Sequence, residues 1–437
     1  MLNDRRCGAL NTILHKTIKI LSRYPLCDRC LGRLFAELGR GLDNSERGRS
    51  LKIVALMHLH DLMRKGELSI DDMSSICGNM GPEYEPLCSA LGIKDVSYNK
   101  CHICGGNLEE LIHRYSKEVA ELVLREKVRR FLIGVKSLKE ISKREREIAE
   151  EFGIDTWESV KSELKRVIGK HVRDVTGAQP DFEEPEAIFI IDVDKGITVE
   201  RPSILILADY IKLGRGISQM PWVTKEGGRK YPLSVYDACS KLASVYNGSD
   251  IVIHAAGRED VDVRMLGTGR SLVIEIRQPR RRDVDLKLVE HVLNEYTKWL
   301  RFKVYTYVRR EIVRRIKESG RTSYKIYRAL VVVSKRIEMD DMERLEKFFH
   351  NREIVQRTPR RILRRKKDVV RIRKVFEVKT RKLSEHVFVA LIRCEGGLYV
   401  KELVDGDGGR TAPSFAEVLG SPSYCAELDV LYVHKQI

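Results

Sequence analysis

The chain has 437 residues, more than one ordinary hydrophobic core accommodates, so two or three domains are expected. Its 43% hydrophobic and 33% charged composition describes a globular chain. With no bilayer-length apolar run and no signal-like N-terminus, a cytoplasmic protein without a membrane partner is expected. Lys and Arg total 80 against 63 Asp and Glu, and the formal charge of +17 favours a polyanionic partner, because each neutralised phosphate releases counterions.

In chain order, residues 1–110 carry two Cys-x-x-Cys knuckles, Cys27–Cys30 and Cys101–Cys104, the second followed by Gly105–Gly106. A two-residue spacer lets both thiolates of a knuckle reach one tetrahedral ion, and glycines after the second cysteine permit the tight turn. Two pairs predict a single structural zinc site with all four positions filled, hence no open position for catalysis. The long insertion between them predicts a helical excursion, with an amphipathic helix over 45–65. His102 is a weaker ligand candidate, and Cys7, Cys77, Cys88, Cys239, Cys394 and Cys425 read as packing thiols in a reduced compartment.

Residues 111–176 read as charged helices. Strands follow at 187–193 and 197–199, joined by Asp194–Lys195–Gly196, and a third at 203–208. This α/β stretch, 111–217, is expected to be a second small domain. From residue 218 to 437 a mixed α/β domain is predicted, with helices at 236–246 and 284–303 and strands at 251–256, 271–276, 327–338, 386–394 and 427–434. Gly267–Thr268–Gly269 reads as a turn. Residues 351–382 hold 14 basic and 3 acidic side chains. Apolar residues interleaved with those charges predict a strand-rich basic surface facing nucleic acid.

The segment Gly257–Arg258–Glu259–Asp260–Val261–Asp262–Val263–Arg264–Met265–Leu266 leaves an apolar strand, turns, and is expected to continue as a strand with Val261, Val263 and Met265 on one face. Asp260 is thereby held at a tight turn, as suits a carboxylate that must point at something. The alternative is a surface hairpin with solvated charges. No phosphate-binding loop or dinucleotide fingerprint occurs, so no nucleotide cofactor is expected.

Gly257–Arg258–Glu259–Asp260 resembles the GR-x-D element of pseudouridine synthases, and Gly397–Leu398–Tyr399–Val400–Lys401–Glu402–Leu403 resembles their second motif strand. Together with 401–414, the knuckles and the Tyr210–Trp222 segment, the chain is similar to archaeal-type tRNA pseudouridine synthases with an N-terminal zinc and THUMP region. The resemblance implies an α+β fold with a mixed-sheet catalytic domain and central cleft, preceded by zinc-binding and THUMP-like modules. It implies a monomer that isomerises uridines fifty-four and fifty-five of the tRNA TΨC arm, with Asp260 as nucleophile and Lys401 as its cation. Tyr327, Tyr399 and Arg258 are the substrate-contacting candidates, and no cofactor is needed for the chemistry. Asp262 is the competing nucleophile. A non-catalytic tRNA-binding protein retaining the fold, or another THUMP-bearing tRNA-modifying enzyme, are the alternatives.

Overall fold

A computed structural model describes residues 8–94, 96–322, 324–364 and 366–435, so Cys7 and Arg365 lie outside the described residues. The chain divides into two compact units, one through Glu200 and one from Arg201.

The first unit begins with five helices, α1 (Gly8–Leu21), α2 (Asp28–Leu34), α3 (Asn44–Arg64), α4 (Ile70–Met80) and α5 (Glu85–Ala90). The predicted helix at 45–65 is α3, started by a capping box between Asp43 and Glu46. Helices α2 and α3 meet backbone to backbone. A Cβ on Gly32 would lie 1.8 Å from the Asn44 carbonyl oxygen, and one on Gly48 1.8 Å from that of Asp28. Then come α6 (Leu108–Arg125), β1 (Arg130–Lys136), α7 (Lys139–Glu151), α8 (Val160–Thr176), β2 (Gln179–Pro180), β3 (Ala187–Asp192) and β4 (Gly196–Glu200), with sheet order β2-β1-β3-β4. Strand β1 interrupts the stretch expected to be wholly helical, because Phe131, Ile133 and Val135 alternate inward against β3.

One continuous core runs from Ile20 to Ile191 and includes Cys30, Tyr115 and Phe189. The expected division at residue 110 is therefore not a break in packing. The expected boundary at 217 is also displaced: β5 (Ile204–Lys212) belongs to the second unit, where it lies between strands 300–307 and 264–277 of the large sheet. Cys77 and Cys88, expected as packing thiols, form a buried disulfide. Helices α4 and α5 bring the two thiols together, a contact that sequence spacing does not reveal.

The second unit continues with β6 (Ile217–Ser218), β7 (Leu233–Ser234), α9 (Val235–Val245), β8 (Asp250–Ala255), β9 (Arg264–Arg277), α10 (Leu286–Glu295), β10 (Leu300–Tyr307), α11 (Glu311–Thr322) and β11 (Tyr324–Val333). It closes with α12 (Met339–Phe348), β12 (Arg352–Arg357), β13 (Val370–Lys382), β14 (Val387–Glu395), α13 (Val400–Asp405), β15 (Thr411–Ala412), α14 (Phe415–Leu419) and β16 (Ser423–Val433). Ten strands form a mixed sheet in the order β10-β5-β9-β16-β11-β14-β13-β12-β15, with β8 pairing to β9. Among the described residues its only parallel contact is the short β16–β9 pairing at Asp429–Val430 with Arg264–Met265.

The helix expected over 284–303 is shorter: α10 ends at Glu295 and β10 follows, drawn into antiparallel pairing with β5. Gly267 and Gly269 lie within β9 rather than in a turn between strands. Both have positive φ, and a Cβ on Gly267 would sit 1.9 Å from the Leu431 carbonyl oxygen, so glycine lets β9 bend against β16. Two main clusters fill the unit. One lies beneath α9 and α10, around Ile206, Leu242, Ile274 and Leu293. The other lies beneath α12, α13 and α14, around Ala329, Phe349, Phe388, Leu403 and Phe415. No helix among the described residues is long and apolar enough to cross a membrane.

Candidate active site and metal centre

In the first unit the sulfur atoms of Cys27, Cys30, Cys101 and Cys104 all lie within 4.8 Å of one another. Cys27 precedes α2 and Cys30 lies in its first turn, while Gly105 and Gly106, both at positive φ, turn the second knuckle. The Cys27 and Cys104 sulfurs are 3.7 Å apart. A tetrahedral zinc with Zn–S bonds near 2.3 Å separates its sulfurs by about 3.8 Å, so the residues fit that ion. His102 is not part of the cluster and packs its ring against Tyr24. Arg33 Nη2 donates to the Cys30 sulfur at 3.5 Å, and the same guanidinium meets Glu145 and Glu163, both buried. Arg29 reaches Glu163 at 3.0 Å from the same helix. With a metal bound, this buried cation would offset the charge of the four thiolates, and its carboxylate partners tie the knuckles to α7 and α8.

In the second unit, residues 257–263 form a loop between β8 and β9, and strand structure resumes only at Arg264. The expected strand through Val261 is absent because the backbone there is bonded elsewhere. The Ala256 carbonyl accepts from Arg270 Nη1 at 2.7 Å and that of Gly257 from Gln219 Nε2 at 3.2 Å. Lys212 Nζ donates to the carbonyls of Asp260 (3.0 Å) and Val261 (3.2 Å), and the Gly216 N–H also donates to Val261. The Asp262 carbonyl accepts from Arg215 Nη1 at 2.7 Å. Donors from outside the loop thus take the place of a strand partner. Only Val263 and Met265 of the expected apolar face are buried.

Glu259 points inward beneath this loop. Its carboxylate accepts from the Tyr210 hydroxyl at 2.9 Å and Arg270 Nε at 2.9 Å, with Lys212 Nζ at 3.7 Å. Burial opposes its charge, but Arg270 and Lys212 outweigh that and hold the carboxyl below its ordinary range. Asp260 points the other way. Its Oδ2 meets Arg361 Nη1 at 2.7 Å, and its side chain stays 41% exposed. Arg361 Nε donates to Glu402 Oε1 at 2.6 Å, so the guanidinium bridges the loop to α13.

Lys401, expected as the cation for Asp260, pairs instead with Asp262. It lies on α13, not on a strand, because the chain turns at Gly397 (φ +93°) and starts a helix after Tyr399. Burial opposes the charge of Asp262 and Lys401 overcomes it, holding that carboxyl below its ordinary range. Tyr327 is buried on β11, close enough to Arg270, Glu259 and Asp260 to feel their charges, and burial raises its hydroxyl pKa. Tyr399 is half-buried, its backbone bonded on both sides to Gln356, with Lys366 and Arg371 near its ring. Arg258 is exposed and has no ionic partner among the described residues. On either side of Arg365, residues 358–364 and 366–369 of the basic stretch run outside strands, with one 3-10 turn (Arg360–Ile362), and Arg361 turns into the site rather than outward.

Sequence reasoning missed Lys212, Glu259, Arg270 and Arg361. The first and third had a readable signal. Lys212 falls in phase with Ile204, Ile206, Ala208 and Tyr210 on the core face of β5, and Arg270 in phase with Leu272, Ile274 and Ile276 on β9. A charge on a core-facing phase needs a buried counter-charge. Arg361 had none, lying among so many basic neighbours.

Residues 205–434 match the family model described as Pus10, C-terminal, and residues 115–192 match the archaeal Pus10 THUMP domain. The chain is 49% identical over 421 residues to the tRNA pseudouridine synthase Pus10 of Ignisphaera aggregans, covering 96% of this chain and 98% of that protein. It is 41% identical over 429 residues to the protein of the same name from Thermosphaera aggregans, with 97% of each chain covered. The corresponding figures for Pyrococcus furiosus are 35% over 427 residues, with 96% and 98% covered. The chain therefore belongs to the Pus10 family of pseudouridine synthases, which makes it an isomerase.

Proposed function

We propose that this isomerase acts on tRNA, converting uridine to pseudouridine at positions fifty-four and fifty-five of the TΨC arm, with Asp260 as the attacking carboxylate. The observation that carries the reading is the contrast at the loop: an immobilised main chain, an Arg361 contact at 2.7 Å, and a carboxylate that remains accessible. A group held this way meets its target without reorganising. The name shared by the full-length relatives supports tRNA as the substrate class.

The reaction breaks the N1–C1′ bond, turns the freed uracil and joins its C5 to C1′, while C5 loses a proton and N1 gains one. Atoms balance with no oxidant or reductant, so side chains suffice. Asp260 either attacks as a nucleophile or takes a ribose proton, and both begin from the same placement. Tyr327 supplies an aromatic wall for a base that has left its stack. Arg258 and Tyr399, with the basic loop around 358–369, hold the displaced RNA, through phosphates and a stacking surface respectively. Lys401 balances Asp262 beside the cleft. Cys27, Cys30, Cys101 and Cys104 hold a zinc ion whose role is to close the first unit, with no part in the chemistry.

The test is tritium release from C5-labelled uridine in unmodified tRNA, followed by mapping of the modified positions. Release at both TΨC-arm uridines by the native chain, and none by Asp260→Asn, is expected. Tight tRNA binding without release would instead indicate a binding protein, and release at other positions would overturn the assigned target.

A further inference from the structure

Glu259 and Asp260 are adjacent residues with opposite surroundings. The Glu259 side chain is 4% exposed, against 41% for Asp260. Beneath them Lys212, 1% exposed, directs its three donors at the carbonyls of Ile217, Asp260 and Val261, between 3.0 and 3.2 Å. The Asp260 and Val261 carbonyls lie outside any strand, and a main-chain oxygen without a donor in a buried place is costly. A lysine can satisfy three at once, but a buried ammonium needs an anion. Glu259 supplies it from inside the same loop. Arg270 completes the unit, binding the Glu259 carboxylate with Nε and the Ala256 carbonyl with Nη1.

We propose that Lys212, Glu259 and Arg270 are positioning residues for the reaction: the loop's own buried carboxylate recruits the two cations whose remaining donors fix its main chain, and so aims Asp260. Lys212 is the decisive member, since it bonds the Asp260 carbonyl itself. None of the three is exposed enough to hold RNA. Their loss therefore acts on turnover with bound tRNA and leaves affinity alone. A displacement of about 1 Å at a reacting group costs roughly a hundredfold in rate. The proposal rests on Asp260 being the attacking group.

Four variants of the full chain separate the possibilities: Lys212→Met, Glu259→Gln, their combination, and Asp260→Asn as reference. Each is measured for single-turnover rate and for tRNA dissociation constant. Expected are rates lowered about a hundredfold in both single variants, dissociation constants within about twofold of native, and a double variant no slower than the worse single, because residues acting as one unit do not add. Native-like single-turnover rates in folded Lys212→Met and Glu259→Gln, or losses that multiply in the double variant, would overturn the proposal. So would a loss confined to tRNA affinity. Should Lys212→Met not fold, the isosteric Glu259→Gln decides alone, with amide exchange at residues 260–263 as the second readout. Faster exchange with slower turnover supports the cradle, and native exchange overturns it. An active Asp260→Asn would instead sink the assignment of the attacking group, whatever the cradle variants do.

Discussion

Both units bury a network of arginine or lysine with glutamate, and the two networks do opposite things. In the first, Arg29 and Arg33 reach from α2 to Glu163 on α8 and Glu145 on α7, and Arg33 also touches a knuckle sulfur. These four side chains are buried, and the result is a weld. In the second, Lys212 and Arg270 enclose Glu259 but leave the next residue outside, carried by main-chain carbonyls that the same cations hold. The result is a mount. The titration directions differ accordingly. Burial lifts Glu145 and Glu163 above the ordinary carboxylate range despite their arginines, whereas for Glu259 burial loses to Arg270 and Lys212. Buried ion pairs do not have one purpose; the chain path around them decides whether they close a structure or present a group.

The hardest break should come at the presented carboxylate. Asp260→Asn is expected to lower tritium release by about 10⁴-fold or more, on the scale of removing a catalytic group. Asp262→Asn should stay within about tenfold of native. A reversal of these two would show that the mount serves the wrong residue. Next is the metal. Cys101→Ser should take metal content from about one equivalent to near zero and unfold the first unit, since structural zinc contributes on the order of 10 kcal/mol at neutral pH. Retention of a full equivalent would contradict a four-thiolate site.

Arg33→Met should cost about 3–5 kcal/mol in chemical denaturation, because it leaves the buried Glu145 carboxylate without its cation, while Glu163 keeps Arg29. If the weld view is right, the turnover of bound tRNA is unchanged. Arg361→Lys keeps one charge but cannot span Asp260 and Glu402 together, so a fall of roughly ten- to a hundredfold in single-turnover rate is expected, with stability little altered.

The smallest effect is in pH. A carboxyl held below its unfolded value stabilises the fold above that value, near 4.3, and the contribution is lost as pH falls through the folded pKa. Glu259 is of this kind. Glu145 and Glu163 are raised, so the folded first unit binds more protons between about 4.3 and their folded pKa, and gains stability as pH falls through that window. Hydrogen exchange resolved by unit should show the first unit gaining, relative to the second, as pH falls toward the ordinary glutamate value of about 4.3. Glu163→Gln should reduce that difference and leave the part that Glu145 contributes.

Much of the site could be read from alternation and spacing. The two knuckles, the helix at 44–64, the strands at 187–192 and 387–395 and the turn bearing Asp260 all follow from local pattern. The strand β10 did not, because α10 runs into it without a strong breaker and its pairing with β5 is what makes it a strand. Nor did Arg361, one arginine in a basic run whose direction depends on a 3-10 turn and on Glu402 behind it.

By itself, then, the amino-acid order marked the candidate groups: four thiols at metal spacing, a carboxylate at a glycine-started turn, and charges in phase with apolar strand faces. Those are properties of a few neighbouring residues and their side-chain periodicity. Tertiary structure decided the pairings. Lys401 meets Asp262 and Arg361 meets Asp260 because α13 begins where a strand was expected and the basic loop folds inward. Which cation reaches which carboxylate depends on the path of chain segments far apart in sequence, and electrostatics at hydrogen-bond range acts only after that path is set.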